Sequence, residues 1–325
     1  MTKFEKFFFT LPPVAFVIRR SKRIIIPGFQ GLPLFDVVVF FFGKINKIGL
    51  NERAAAISFN FIMAIPAACI LIFTLVPYLQ ISKEFNIELL RLTKELTPNR
   101  NTYLFVKDFL NDFLVTQRGG LLSFGILLVM FYASNAMMGI IITFDKSIDQ
   151  RTGWLFHKRW RAIKLTFLIL LLLIGSILIL VGQEQLASFL KKLFGMKRKA
   201  TLLWWNELRW LVIVALVFYS IALIYKYAPS VHKRWKIASP GAILATVLLM
   251  ATTILFSYWV NNFGNFNKVY GSIGTVLIIM SLVYFNSMVL IIGFELNVSI
   301  THLVDQANER KEKEDAALLQ KNNLS

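Results

Sequence analysis

The stretch Asn261–Asn297, NNFGNFNKVYGSIGTVLIIMSLVYFNSMVLIIGFELN, decides the fold. It opens as a polar, aromatic, glycine-bearing turn. It then runs without a charged side chain from Val269 until Glu295. A bilayer core of about 30 Å is crossed by about 20 helical residues, so the second part is long enough to span it. Asn, Gly and Tyr are costly against lipid unless protein or water satisfies them, so the turn is a feature in its own right.

Working outward, the same reading finds further apolar runs at Ala54–Leu79, Leu121–Phe144, Ile163–Gln183, Leu208–Tyr227 and Ser239–Val260, with Ser272–Asn297 as the last. Each is long enough for a span and has few or no internal charges. The chain has 325 residues, 56% of them hydrophobic. The sequence therefore predicts an all-α, polytopic membrane helical bundle with six transmembrane helices plus interfacial amphipathic helices. Residues 1–33 read as a basic cytoplasmic tail, 34–300 as the six-span membrane domain, and 301–325 as a charged cytoplasmic tail that frays from Arg310. Leu34–Leu50 reads either as a helix lying in the interface or as a tightly packed elbow. Apolar residues at helical spacing between Leu104 and Leu114 predict an amphipathic helix on the outer face. The apolar run Phe7–Ile18 is broken by Pro12 and Pro13, and its basic cluster follows it, so it reads as interfacial rather than as a cleavable signal. No internal repeat supports an inverted-repeat transporter.

The seven tryptophans fit this map. Trp154 and Trp160 precede the third span, Trp204, Trp205 and Trp210 sit at the start of the fourth, and Trp235 and Trp259 bracket the fifth. Indole rings favour the headgroup layer. The net charge of +18 lies in connectors and tails, which makes the lipid bilayer and its anionic headgroups the expected partner rather than nucleic acid. Counting basic residues just inside the span ends, 23 of the 36 Lys and Arg fall on the side holding both termini and 13 on the other. Both termini are therefore expected in the cytoplasm. Lys191, Lys192, Lys197, Arg198 and Lys199 run against that trend.

Three constellations are candidates for function. Asn60, Asn135 and Asn286 lie inside spans, with Pro66 six residues after Asn60. Thr275, Asn286, Gly293 and Asn297 share one helical face. A buried amide needs partners, so these residues line either a polar substrate path near the midplane or interhelical contacts that hold the bundle. Pro66 removes a backbone donor and is expected to kink its span. Next, Arg53 and Glu295 fall in one cytoplasmic layer and form a candidate ion pair. Asp145 is expected to face Lys146 and Arg159 in that layer. Finally, Asn265, Lys268 and Tyr270 in the turn are candidates for an external vestibule, or for a tight hairpin. Gly241 and Ala245 add a small-residue face for helix contact. Ser239-Pro240-Gly241 is a good helix start.

Enzyme signatures are missing. His157, His232 and His302 lie far apart, and no cluster has metal-ligand spacing. Cys69 is the one cysteine, which excludes an intrachain disulfide. No catalytic residue, metal or cofactor is expected.

Four segments, taken in order, resemble the YihY / virulence-factor BrkB family of bacterial inner-membrane proteins. They are RAAAISFNFIMAIPA (Arg53–Ala67), YASNAMMGIIITFD (Tyr132–Asp145), YKYAPS with WKIASPGAILAT (Tyr225–Thr246), and Phe263–Asn297. The resemblance covers about residues 35 to 300. It departs at SFNF in the first span. It implies six spans, cytoplasmic termini, an inner-membrane location and a role in the envelope. Transport of a lipid, amphiphile or small solute is the leading function implied, with a non-transporting envelope scaffold as the alternative. The label ribonuclease BN, also carried in this family, finds no nucleolytic or RNA-binding module in the sequence.

Overall fold

The computed structural model describes residues 12–75, 104, 107, 119–148, 154–181, 198–230, 235–263 and 272–322. The predicted helix at Leu104–Leu114 and the turn residues Asn265, Lys268 and Tyr270 lie outside the described residues. Eight helices are described: α1 Pro12–Ser21, α2 Leu34–Ile45, α3 Leu50–Leu75, α4 Gly119–Asp145, α5 Leu155–Val181, α6 Arg198–Tyr227, α7 Pro240–Phe263 and α8 Ser272–Asn322. Among the described residues the only extended pairing is an isolated bridge between Ile25 and Pro33. The chain is an all-α membrane bundle, as its apolar runs require. In hydrocarbon a chain must satisfy its backbone groups internally, and a helix does so within one segment.

Among the described residues, five helices contain stretches apolar and long enough to cross a membrane: Leu50–Leu71, Gly119–Asp145, Trp210–Tyr227, Pro240–Val260 and Val276–Ala316. The third span of the sequence map falls on α5. There Lys158, Arg159, Arg161 and Lys164 give way to an uncharged run from Leu165 to Val181. That run is about 25 Å long as a helix. Helix α8 differs from expectation at its far end. It continues through the charged segment to Asn322, where the sequence reading has fraying from Arg310.

The six long helices pack in a closed circuit: α3 on α4, α4 on α5, α5 on α6, α6 on α7, α7 on α8, and α8 back on α3. Antiparallel neighbours give three hairpins, α3–α4, α5–α6 and α7–α8. Their burial repeats. In the outgoing helices one set of buried positions recurs at identical spacing: Ala54, Ile57 and Ser58, then Ala162, Leu165 and Thr166, then Ala242, Ala245 and Thr246. In the returning helices Phe144, Tyr225 and Phe294 are buried, each preceded by a buried apolar pair three and four residues earlier. The sequence reading missed this repeat because few identities recur beyond Ala54, Ala162 and Ala242, and small or apolar types are common throughout such a chain.

The tightest contact is within the third hairpin. A Cβ on Gly241 would lie 2.0 Å from the Gly293 carbonyl oxygen. The small-residue face of Gly241 and Ala245 thus lets α7 and α8 touch backbone to backbone. Asn297 of α8 caps the start of α7. Its Oδ1 accepts the Gly241 N–H at 2.8 Å and its Nδ2 donates to Ser239 Oγ at 2.9 Å. Ser239 Oγ also accepts from the Ala242 N–H, at 3.3 Å, as an N-cap does.

Helix α2 has one packed face and one open face. Val37 and Phe41 bury against Leu296 and Ile300 of α8, while Val38, Val39 and Phe42 remain exposed on the other face. It is docked on the bundle and still presents an apolar face outward. The loop before it carries Gly28 and Gly31 at positive φ. A Cβ on Gly28 would meet the Pro240 ring at 2.8 Å, so this loop is seated under the start of α7.

Candidate functional site: an aromatic plug between two ionic clusters

Phe144, Tyr225 and Phe294 come from α4, α6 and α8, alternate members of the circuit, yet they touch one another. Phe144 and Phe294 stack with ring centroids 3.6 Å apart. Tyr225 meets both edge-on at 5.8 Å. Trp235, from the connection into α7, packs on Phe294 at 5.3 Å. Three returning helices meeting at one point place these rings on the axis of the circuit, where they close it. Tyr225 hydroxyl donates to the Leu290 carbonyl at 2.6 Å, and Trp235 Nε1 donates to Thr301 Oγ1 at 2.9 Å. Each polar tip is therefore satisfied inside the apolar plug. Trp235 departs from the predicted interfacial belt. Trp154, Trp160, Trp210 and Trp259 are exposed, as belt residues are.

Each phenylalanine of the plug is followed by a buried carboxylate. Glu295 is fully buried, with Lys44 Nζ at 3.4 Å and Arg53 Nη1 at 3.6 Å. Arg53 also donates to Ser147 Oγ at 2.5 Å, and Lys44 to the Ser147 carbonyl at 3.4 Å. This cluster ties α2, α3, α8 and the turn after α4. Asp145 has Lys158 Nζ at 3.2 Å and Arg161 Nη2 at 3.7 Å. Its Oδ1 accepts the Ser230 N–H at 3.1 Å, while Arg161 Nη1 donates to the Ala228 carbonyl at 2.9 Å. This second cluster ties α4, α5 and the end of α6. Repeat-equivalent positions at the remaining seam, α6–α7, hold Lys226 and Gly241, so no carboxylate joins it.

The structure corrects one sequence expectation. Asp145 pairs with Lys158 and Arg161, not with Lys146 and Arg159. Lys146 is exposed, and Arg159 reaches to Asn135 Oδ1 instead. Lys44 was not anticipated at Glu295, because its sequence position in an interfacial helix gave no sign that α2 docks on α8.

The three mid-span asparagines go to different places. Asn60 donates to the Ala56 carbonyl and covers Gly139, whose Cβ would meet its Nδ2 at 2.8 Å, on the α3–α4 contact. Asn135 is held by Arg159. Asn286 has its Oδ1 buried without a hydrogen-bond partner among the described residues. Pro66 is exposed within a continuous α3. Gly293 and Asn297, from the face shared with Asn286, serve the α7 contact.

Away from the plug the ring-bearing faces of α4, α6 and α8 become more exposed. Val276 lies 18 residues before Phe294, about five whole turns, so the two share a face. Along that face of α8, Phe294, Leu290 and Ser287 are buried, Val283 is half-buried, and Met280 and Val276 are 42% and 54% exposed. Helix α4 repeats the gradient: Phe144, Ile140 and Met137 are buried, and Ile126, again 18 residues back, is 47% exposed. Helix α6 repeats it from Tyr225 and Ile221 to Leu211, which is 64% exposed. Exposure along these three ring-bearing faces thus rises away from the plug.

The model of the virulence factor BrkB family matches residues 41–318. The chain belongs to the BrkB family. Among its BrkB-family relatives, ribonuclease-like protein YfkH of Bacillus subtilis is 26% identical over 248 residues, 76% of this chain and 88% of that protein. UPF0761 membrane protein IL2447 of Idiomarina loihiensis is 24% identical over 206 residues, 63% of this chain and 70% of the relative. A UPF0761 membrane protein of Tolumonas auensis is 31% identical over 81 residues, 25% of this chain and 27% of the relative. No solved structure matches the chain.

Proposed function

We propose that this BrkB-family membrane protein is a transporter of an amphiphile or small solute, flippase-like in that its substrate enters an apolar vestibule from one membrane face. The observation that carries this reading is the graded opening of the axis-facing stripes on α4, α6 and α8, from buried rings to exposed Ile126, Leu211 and Val276. Close packing of these faces along their whole length would instead favour a scaffold. The lining favours an apolar body. Asn286 Oδ1, on the α7-facing side of α8 beside that stripe, is a buried acceptor with no partner among the described residues and would serve a polar head. The plug and its two ionic clusters then act as the closed gate.

The excess of Lys and Arg at the plug end orients the chain. That end and both termini face the cytoplasm of a bacterial inner membrane, and the vestibule opens outward. In this reading the path runs past Asn286 and the vestibule stripes, while Asn60, Pro66 and Asn135 serve packing.

The test is substrate-resolved flux in proteoliposomes containing only this protein, paired with cysteine labelling after Cys69 is replaced. Cysteines at Val276 and Met280 are expected to react with water-soluble thiol reagents, and a cysteine at Leu290 is not. Unreactive Val276→Cys and Met280→Cys in folded protein, with no flux, would sink the transport reading. A non-transporting envelope scaffold would then stand first, a reading favoured by the tight α7–α8 contact at Gly241, Gly293 and Asn297. The ribonuclease-like name of the Bacillus subtilis relative brings a third reading, RNA cleavage, to which an apolar vestibule lends nothing.

A further inference from the structure

Four cations at the plug end share two buried carboxylates: Lys44 and Arg53 with Glu295, Lys158 and Arg161 with Asp145. Arg159, in the same turns of α5, does not. Its partners among the described residues are neutral. Its Nη1 donates to Asn135 Oδ1, and its guanidinium stands over the Phe131 ring at 5.5 Å. A guanidinium has five N–H donors, and one is used here.

Its position is on the bilayer side of the bundle. Asn135 lies nine residues before Phe144, which is about two and a half turns, so it faces away from the axis on which Phe144 sits. Phe131, one turn further along, is 54% exposed. Around this pair the outward surfaces of both helices are apolar and exposed: Leu127 and Phe124 on α4, Phe167 and Leu171 on α5. Trp160, beside Arg159, is 65% exposed, as an interfacial anchor is. Asn135 is ten residues from the end of α4, about 15 Å along the helix, so Asn135 draws the guanidinium toward the hydrocarbon rather than letting it snorkel outward.

A charge without a counterion at that depth is costly. A phosphate would supply the counterion and match the planar fork bidentately. The apolar stripes above it fit acyl chains running toward the bilayer centre. We propose that Arg159 and Asn135, on the outer surface of the α4–α5 seam, hold the phosphate of an anionic phospholipid from the leaflet on the plug side. The site lies outside the vestibule and stands whether or not the vestibule transports.

The test uses the purified full chain in neutral detergent, stripped of lipid and titrated with phosphatidylglycerol. Phosphatidylcholine of the same acyl chains and inorganic phosphate form parallel arms. Native mass spectrometry counts bound lipid, and melting follows stabilisation. Phosphatidylglycerol is expected to bind and stabilise, and Arg159→Gln to weaken it at least about tenfold, the loss of one charged contact. Lys164→Gln, at an exposed cation nearby, is expected to change it less than about twofold. Equal affinity in wild type and Arg159→Gln overturns the site. Saturation by inorganic phosphate alone overturns the lipid as ligand, and equal binding of phosphatidylcholine overturns the anionic preference. Should Arg159→Gln not fold, Arg159→Lys keeps the charge and loses the fork. Unchanged affinity in that variant also overturns the proposal.

Discussion

Replacing Glu295 by Gln keeps the side-chain shape and removes a charge buried between two cations. Lys44 Nζ stands 3.4 Å from the carboxylate and Arg53 Nη1 stands 3.6 Å from it. At an effective dielectric near 20, each contact is worth roughly 4–5 kcal/mol of gross attraction. Desolvating the carboxylate offsets several kcal/mol of that. Both cations keep Ser147 as a partner and stay partly exposed, with side chains 21% and 18% accessible. The loss should therefore fall near the lower end of the roughly 3–5 kcal/mol that follows removal of one partner from a buried pair. The assay is unfolding in mixed micelles titrated with anionic detergent, run on Glu295→Gln, Arg53→Gln, Lys44→Gln and the two doubles containing Glu295→Gln. Because the carboxylate divides between two cations, each cycle should show a coupling of about 1–2 kcal/mol. Phe294 precedes Glu295 and closes the axis, so a cysteine at Leu290 should also gain reactivity in the Glu295→Gln background. A loss below about 1 kcal/mol, with both cycles additive within about 0.5 kcal/mol, refutes the reasoning.

Gly241→Ala forces a Cβ to 2.0 Å from the Gly293 carbonyl and 2.7 Å from Asn297, so backbone must move. A drop of at least about 1–3 kcal/mol is expected, and wild-type melting would show that the helices do not cross there. Asn286→Leu removes a buried acceptor that has no partner among the described residues. Flux should fall while melting holds or rises, and the opposite pattern would make Asn286 a packing residue. Tags at both termini and in the Lys146–Lys158 connection should be cytoplasmic, and those between Lys83 and Arg118 external. External labelling of the N-terminus would reverse the orientation.

Much of the bundle is legible in the sequence because hydrocarbon leaves few options. An uncharged run such as Ser272–Phe294 is helical because a single segment in lipid must satisfy its own backbone, and its length sets a span. The start of α7 was legible for a local reason: Ser239 caps, Pro240 tolerates the first turn, and Gly241 permits close approach. The layer containing Arg53 and Glu295 was legible as well, since topology brings the start of one span and the end of another to similar depth.

Tertiary structure alone decided which way each span faces. In a soluble helix, polar and apolar stripes reveal the buried face. Here lipid and protein core are both apolar, so residue type does not tell which face of a span packs on its neighbours and which stays open, as at Val276 and Leu127. For the same reason the three hairpins repeat in burial with few repeated identities beyond Ala54, Ala162 and Ala242. Long cationic side chains added a further choice. Arg159 and Arg161, two residues apart, point to different sides of α5, so one reaches Asn135 and the other Asp145. The sequence determined that this chain crosses a membrane, because helical hydrogen bonding and hydrophobicity are local properties. The plug and the partners of Asp145 depended on which helix lies beside which, and that is fixed only when all six pack together.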